Sequence, residues 1–134
     1  MIDIEDVLFT EIAEALESAY SGIFVTDEYV AQPSSLPAVY ILEIDNTPDV
    51  RTQSSSNLEN HAAVMYQVDV YGNRHMGKKA ECRAILSLVD QEFAKRGFTR
   101  TYSKPTPNMA DATIYRMTAR YAAVVDKDLV VYRR

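Results

Sequence analysis

The chain has no tryptophan, one cysteine, two histidines and four glycines in 134 residues. Each scarcity excludes something. A single thiol, Cys82, rules out an internal disulfide framework and fits a reducing compartment. Two histidines, His61 and His75, with carboxylates scattered along the chain, show no metal-ligand spacing, so no metal is expected. The glycines at 22, 72, 77 and 97 each mark an element boundary, and none builds a phosphate-cradling loop. Gly77-Lys78-Lys79 imitates the end of such a loop but lacks the upstream glycine and the following Ser or Thr. No cofactor is therefore implied. There is no Lys/Arg-rich block either. Fourteen Lys and Arg against nineteen Asp and Glu give a formal charge of −5, opposite to the basic face of a free nucleic-acid-binding domain. No apolar run approaches the roughly twenty residues of a membrane span. The opening MIDIEDVLFT is acidic from the start, without the basic flank or continuous apolar run of a secretory leader. The expectation is a protein made and used in the cytoplasm, or in something assembled there.

What remains is ordinary globular composition, 47% hydrophobic and 25% charged, in a length suited to one domain over residues 1–134. Ile4, Leu8, Ile12 and Leu16 recur every fourth residue and predict a helix from Asp3 to Tyr20, with Val7, Ala15 and Ala19 widening the stripe. Asp3 is placed to cap it, Ile2 to staple onto Val7, and Ser21-Gly22 to end it. A short β-like run follows at Ile23 to Thr26, then a proline- and serine-rich connection from Ala31 to Pro37. Ala38 to Ile44 reads as a strand. Asn46 to Asn60 is polar, lacks periodicity and is too long for a hairpin turn, which predicts a long loop that orders against a neighbour.

His61 to Tyr71 alternates Ala62, Val64, Tyr66, Val68 and Val70 with Met65, Gln67 and Asp69, the period of a strand. A second helix from Lys78 to Arg96 carries Cys82, Ile85, Leu86, Val89 and Phe93 on one face and stops at Gly97. Lys78 and Lys79 are locally unfavourable at its N-terminus. Phe98 to Lys104 predicts a strand with Thr99, Thr101 and Ser103 on one face. Ala112 to Val125 predicts the longest strand, alternating Tyr115, Met117, Ala119, Tyr121 and Ala123 with Arg116, Thr118 and Arg120. A turn at Asp126-Lys127-Asp128 leads to a short last strand, Leu129 to Tyr132. The order is α-β-β-β-α-β-β-β. Two helices with one apolar stripe each predict an α+β fold, a single mostly antiparallel sheet with both helices on one face. The core is expected to join Leu8, Ile12, Leu16, Ile85, Val89 and Phe93 to Val64, Tyr66 and Val68.

Candidate chemistry is sparse. A Cys–His pair would have to be His75 with Cys82, yet Cys82 lies in an apolar helix stripe, where a buried structural thiol is the simpler reading. Glu43, Asp45 and Asp69 are expected on neighbouring strands, more simply as ion-pair partners of Arg116 and Arg120 than as an acid–base pair. No catalytic residue is assigned. The nine tyrosines are the unusual item: Tyr66, Tyr115 and Tyr121 belong to apolar strand faces, while Tyr71 shares a face with Gln67 and Asp69. Tyr and Arg together on one sheet face are a composition favoured in protein–protein contacts. The candidate assembly interface is therefore Gln67, Asp69, Arg116 and Arg120, joined by Arg51 of the long loop.

Four stretches, MIDIEDVLFTEIAEAL, ENHAAVMYQVDVYGN, GKKAECRAI and PNMADATIYRMTARYAAVV, together resemble small proteins encoded in the head–tail gene block of tailed phages and prophages. The family resembled is that of the tail terminator, or head-to-tail joining, proteins of long-tailed phages. The resemblance implies a virion protein at the head-proximal end of the tail, assembled in the host cytoplasm. It implies a monomer in solution that forms a ring, of six copies, on the end of the finished tail tube, contacting the major tail tube protein and the head connector protein, with DNA passing through. About six copies at −5 would carry roughly −30, which repels DNA and suits a conduit.

Overall fold

Alternating and four-residue apolar periods determine the secondary structure here, and both periods are realised close to where the sequence places them. The computed structural model describes residues 1–29, 35–48, 61–73, 77–106, 113–126, 128 and 131–132. Along the chain these form α1 (Glu5–Ala19), β1 (Phe24–Thr26), β2 (Ala38–Pro48), β3 (His61–Gly72), α2 (Lys78–Lys95), β4 (Thr99–Pro105), β5 (Tyr115–Asp126) and β6 (Val131–Tyr132). The protein is an α+β domain, and its element order is the expected one. Arg51, His75 and most of the expected 46–60 loop lie outside the described residues.

Strands run β1-β2-β3-β5-β4 across one sheet, with β6 added to β5. β1 is parallel to β2, and every other pairing is antiparallel. The two strands with the clearest period-two pattern, β3 and β5, are the centre, paired from His61↔Asp126 to Gly72↔Tyr115. α2 packs on β3, β5 and β4, while α1 packs beside α2 and against β1. Both helices thereby bury one stripe on one sheet face. Leu8, Ile12, Leu16, Ile85, Val89, Phe93, Val64, Tyr66 and Val68 all belong to the resulting core.

Aromatic rings fill the space between α2 and the sheet. Phe93 stacks on Tyr121 with centroids 4.3 Å apart and planes 3° from parallel. Phe98 meets Phe93 edge-on at 5.2 Å. The same two residues close α2, since Phe98 N–H donates to the Phe93 carbonyl and Gly97 N–H to that of Ala94. Gly97 takes φ of 86°, the left-handed step this helix ending requires. At the other end of α2, Lys78 Nζ donates to the Thr113 carbonyl at 3.2 Å, which gives that misplaced cation a partner across the β4–β5 turn.

Several boundaries differ from expectation for identifiable reasons. α1 begins at Glu5, and the Asp3 carboxylate accepts the Glu5 N–H at 3.0 Å from just outside the helix. Val7 does not join the buried stripe. Val7 is 56% exposed because it falls about 100° behind Leu8 on the helix, while the buried stripe runs the other way through Ile12 and Leu16. Ala19 is exposed as well. β2 continues through Asn46, Thr47 and Pro48, which pair with Val64, Ala63 and Ala62, so these residues belong to the sheet rather than to the loop. A register shift between Arg100 and Tyr102 breaks the alternation of β4. Thr99, opposite Ala122, and Ser103, opposite Ala119, therefore do not share a face.

Ile12 is fully buried under the α1 stripe. Ile12→Ala should cost about 2–5 kcal/mol in urea denaturation, whereas Val7→Ala on the same helix should stay within about 0.5 kcal/mol. Equal effects at the two positions would contradict this placement of α1.

Candidate assembly surface

The face of the sheet turned away from the helices carries a connected polar and aromatic band. Period-two alternation places Gln67, Asp69 and Tyr71 of β3 there, opposite Arg120, Thr118 and Arg116 of β5. Asp69 is the hub. Its Oδ1 accepts from Arg116, with Nε and Nη2 each at 3.0 Å, and from the Thr118 hydroxyl. Its Oδ2 accepts from Gln67 Nε2 at 3.1 Å. Gln67 Oε1 in turn accepts from Arg120 Nε at 3.1 Å. Thr106, just beyond β4, donates to the Thr118 hydroxyl at 2.7 Å and so extends the network by one strand.

Aromatic rings frame this network on both sides. The Arg116 guanidinium lies 5.4 Å from the Tyr71 ring centre, and Tyr71 meets Tyr40 of β2 at 5.3 Å. Tyr40 in turn meets Phe24 of β1 at 6.4 Å. On the far side, Arg120 and Lys104 approach the ring of Tyr102 at 5.1 and 5.5 Å. The band thus crosses all five strands from β1 to β4. Burial pushes the Tyr71 phenol above its ordinary value, and nearby Arg116 only partly offsets that.

The structure brings Gln67, Asp69, Arg116 and Arg120 together as expected, while Arg51 is outside the described residues. Their exposure differs from the expectation of a uniformly open face. Asp69 and Thr118 are 3% and 5% exposed, because the arginine and threonine side chains that bond to them also cover them. Arg120 and Lys104 are exposed and form the accessible rim. The expected convergence of three carboxylates on the arginines holds only for Asp69. Glu43 follows Val39 and Ile41 to the helix side, where it accepts from Tyr66 Oη at 3.0 Å and Asn46 Nδ2 at 3.4 Å. Past the irregularity between Glu43 and Asp45, the Asp45 carboxylate accepts from Thr47 Oγ1 at 2.7 Å. Arg120 is bonded to an amide, not a carboxylate.

Sequence reasoning did not single out Tyr40, Tyr102 or Thr106. Tyr40 was legible from its alternation with Val39 and Ile41. Tyr102 was hidden by the β4 register shift, which moves it onto the outer face opposite Arg120. Cys82 is fully buried, its Sγ 3.7 Å from the Tyr115 carbonyl, and burial followed by neighbouring Glu81 pushes its thiol up to about 11. It is a core thiol, protonated at neutral pH. A Cβ built on Gly72 would stand 2.8 Å from that sulfur, so the end of β3 approaches α2 as closely as only glycine allows. His61 opens β3 half-buried, and His75 is outside the described residues.

These observations define an α+β domain with one sheet face built into a two-helix core and the other bearing a pre-ordered arginine–tyrosine band. No protein-family model matches the chain, and no curated protein matches it.

Removing the hub should leave Arg116, Thr118 and Gln67 without their common acceptor. Asp69→Ala is expected to cost about 1–3 kcal/mol in chemical denaturation, against at most about 1 kcal/mol for Arg120→Ala at the exposed rim. The reverse ranking would remove Asp69 from the centre of the network.

Glu43 supplies a pH test. Burial, more than the hydrogen bonds from Tyr66 and Asn46 can offset, raises its pKa in the folded chain. Its contribution to stability is therefore full below the unfolded carboxylate value and is lost as pH rises through the raised folded one. Glu43→Gln keeps an oxygen for both donors and does not titrate. Between about pH 4 and pH 7 the wild type should lose stability relative to Glu43→Gln, and parallel curves would show that Glu43 is not desolvated.

Proposed function

We propose that the protein is a non-enzymatic structural subunit of a phage or prophage particle, forming a ring that caps the head-proximal end of the tail tube. The observation that carries this reading is the band from Phe24 to Tyr102 on the face opposite the helices. Its arginines are fixed in direction before any partner arrives, by Asp69, Gln67 and two tyrosine rings. Ordering side chains in advance lowers the entropy lost on association, and Arg and Tyr are the side chains that carry most binding energy at protein contacts. The resemblance of four separate stretches to tail terminator proteins supports the particular setting. In that setting the partners are further copies of this chain, the major tail tube protein and the head connector protein, and DNA passes without specific binding.

Polymerising tail tube protein in the presence and absence of this chain tests the reading. With it, electron microscopy should show tubes of limited length bearing a ring at one end, and Arg120→Glu should fold normally but cap poorly. Tubes of unchanged length would refute the capping role. Normal tubes that fail to accept heads when the chain is missing would assign it to the connector instead.

A further inference from the structure

All fourteen Lys and Arg lie after residue 50, while eleven of the nineteen Asp and Glu lie in residues 1–50. The fold converts this division along the chain into a division in space. Strand order puts β1 at one edge of the sheet and β4 at the other. α1 packs beside α2 and against β1, with Glu11 paired to Arg96 at 2.8 Å, while α2 covers β3, β5 and β4. The outer side of α1 therefore lies toward the β1 edge of the molecule, and the β4 edge with the start of α2 toward the other.

At the basic end a groove of about 360 Å³ runs between α2 and the edge strand β4. Lys79, Arg83, Arg100 and Lys104 line it, with Asp90 as its one carboxylate. That carboxylate is already committed, accepting from Arg100 Nη1 at 3.0 Å and from the Tyr121 hydroxyl at 3.1 Å. Lys79 and Arg83 are exposed and have no carboxylate partner among the described residues, while Lys104 turns its ammonium over Tyr102 on the outer face. Two uncompensated cations in one groove stand out on a chain of net charge −5.

At the acidic end, α1 turns Asp6, Glu14 and Glu17 to solvent, away from Leu8, Ile12 and Leu16. Val7 is exposed on the same side. Along a helix, Glu14 and Glu17 are separated by about 4.5 Å of axial rise and Lys79 and Arg83 by about 6 Å, so the two pairs are spaced within side-chain reach of one another.

We infer that the α2–β4 groove receives the acidic face of α1 from a second copy of this chain. The complementary surfaces lie at opposite ends of one molecule, so the contact is head to tail, the kind that closes into a ring when the rotation between neighbours permits. The setting rests on the ring reading above, which it deepens by naming the two surfaces that meet. A polyanion such as DNA is the less suited occupant, since the chain as a whole repels it.

Charge reversal in two variants tests the contact. Lys79→Glu with Arg83→Glu makes both ends acidic, and Glu14→Lys with Glu17→Lys makes both ends basic. All four positions are exposed, and circular dichroism melting verifies that each variant folds. Sedimentation velocity is read at about 0.01 M salt, where charges are screened over roughly 30 Å, and at about 0.1 M, where the length falls to roughly 10 Å. Wild type should associate at low salt and more weakly at high salt, and each variant alone should associate at least about tenfold less. An equimolar mixture of the variants should recover association, because each end of one then faces an opposite charge on the other. Wild type that stays monomeric at low salt, a single variant that associates like wild type, or a mixture that does not recover overturns the proposal. So does a groove that binds a short DNA duplex in place of a second copy. The tail-tube assay separates the two readings. Swap-dependent association without any effect on tube length leaves the contact standing and removes the tail role. Shortened tubes with both variants as active as wild type leave the tail role and remove this contact.

Discussion

Full-length pairing of β3 with β5 is the constraint on which the rest of this structure depends. From His61↔Asp126 to Gly72↔Tyr115 the two strands keep one register, and a slip of a single residue would exchange their faces. In the observed register Val64, Tyr66, Val68, Ala119 and Tyr121 meet the helices, and Gln67, Asp69, Arg116, Thr118 and Arg120 meet one another behind them. The core and the polar band are two consequences of one alignment. Asp69 reinforces it, because its partners Arg116 and Thr118 are in bonding range only in this register.

Two buried phenols of the sheet are handled alike. Tyr66 and Tyr121, the two largest fully buried side chains, each keep a carboxylate partner for the hydroxyl, Glu43 and Asp90, and desolvation holds both phenols protonated. Asp90 also binds Arg100, so the ring that stacks on Phe93 is linked to the cationic groove at the sheet edge. Packing of the core and placement of charge at the rim are connected through one side chain.

Charge separation along the chain becomes charge separation across the molecule only because of strand order. The order β1-β2-β3-β5-β4 sets β1, beside which α1 packs, at one edge and the β4 groove at the other, while Glu11 and Arg96 join the two helices between them.

The sequence by itself determined the elements, their order and most of the core. Four-residue spacing in α1 and strict alternation in β3 and β5 are local signals that need no knowledge of distant contacts. It also determined that Arg116 and Arg120 share a face with each other, and Gln67 with Asp69, since period two dictates that within one strand. Tertiary structure decided what those faces meet. The extension of β2 through Asn46–Pro48 comes from pairing with Ala62, Ala63 and Val64, which supplies partners to residues of weak strand propensity. The register shift at Thr101 depends on fitting β4 to β5 and moves Tyr102 beside Arg120. Burial of Asp69 depends on side chains from β5 closing over it, and the inward turn of Glu43 on the Tyr66 hydroxyl waiting for it. Local periodicity assigns a residue to a side of its own element, but only the packing of elements sets which atoms stand opposite and how much water reaches them.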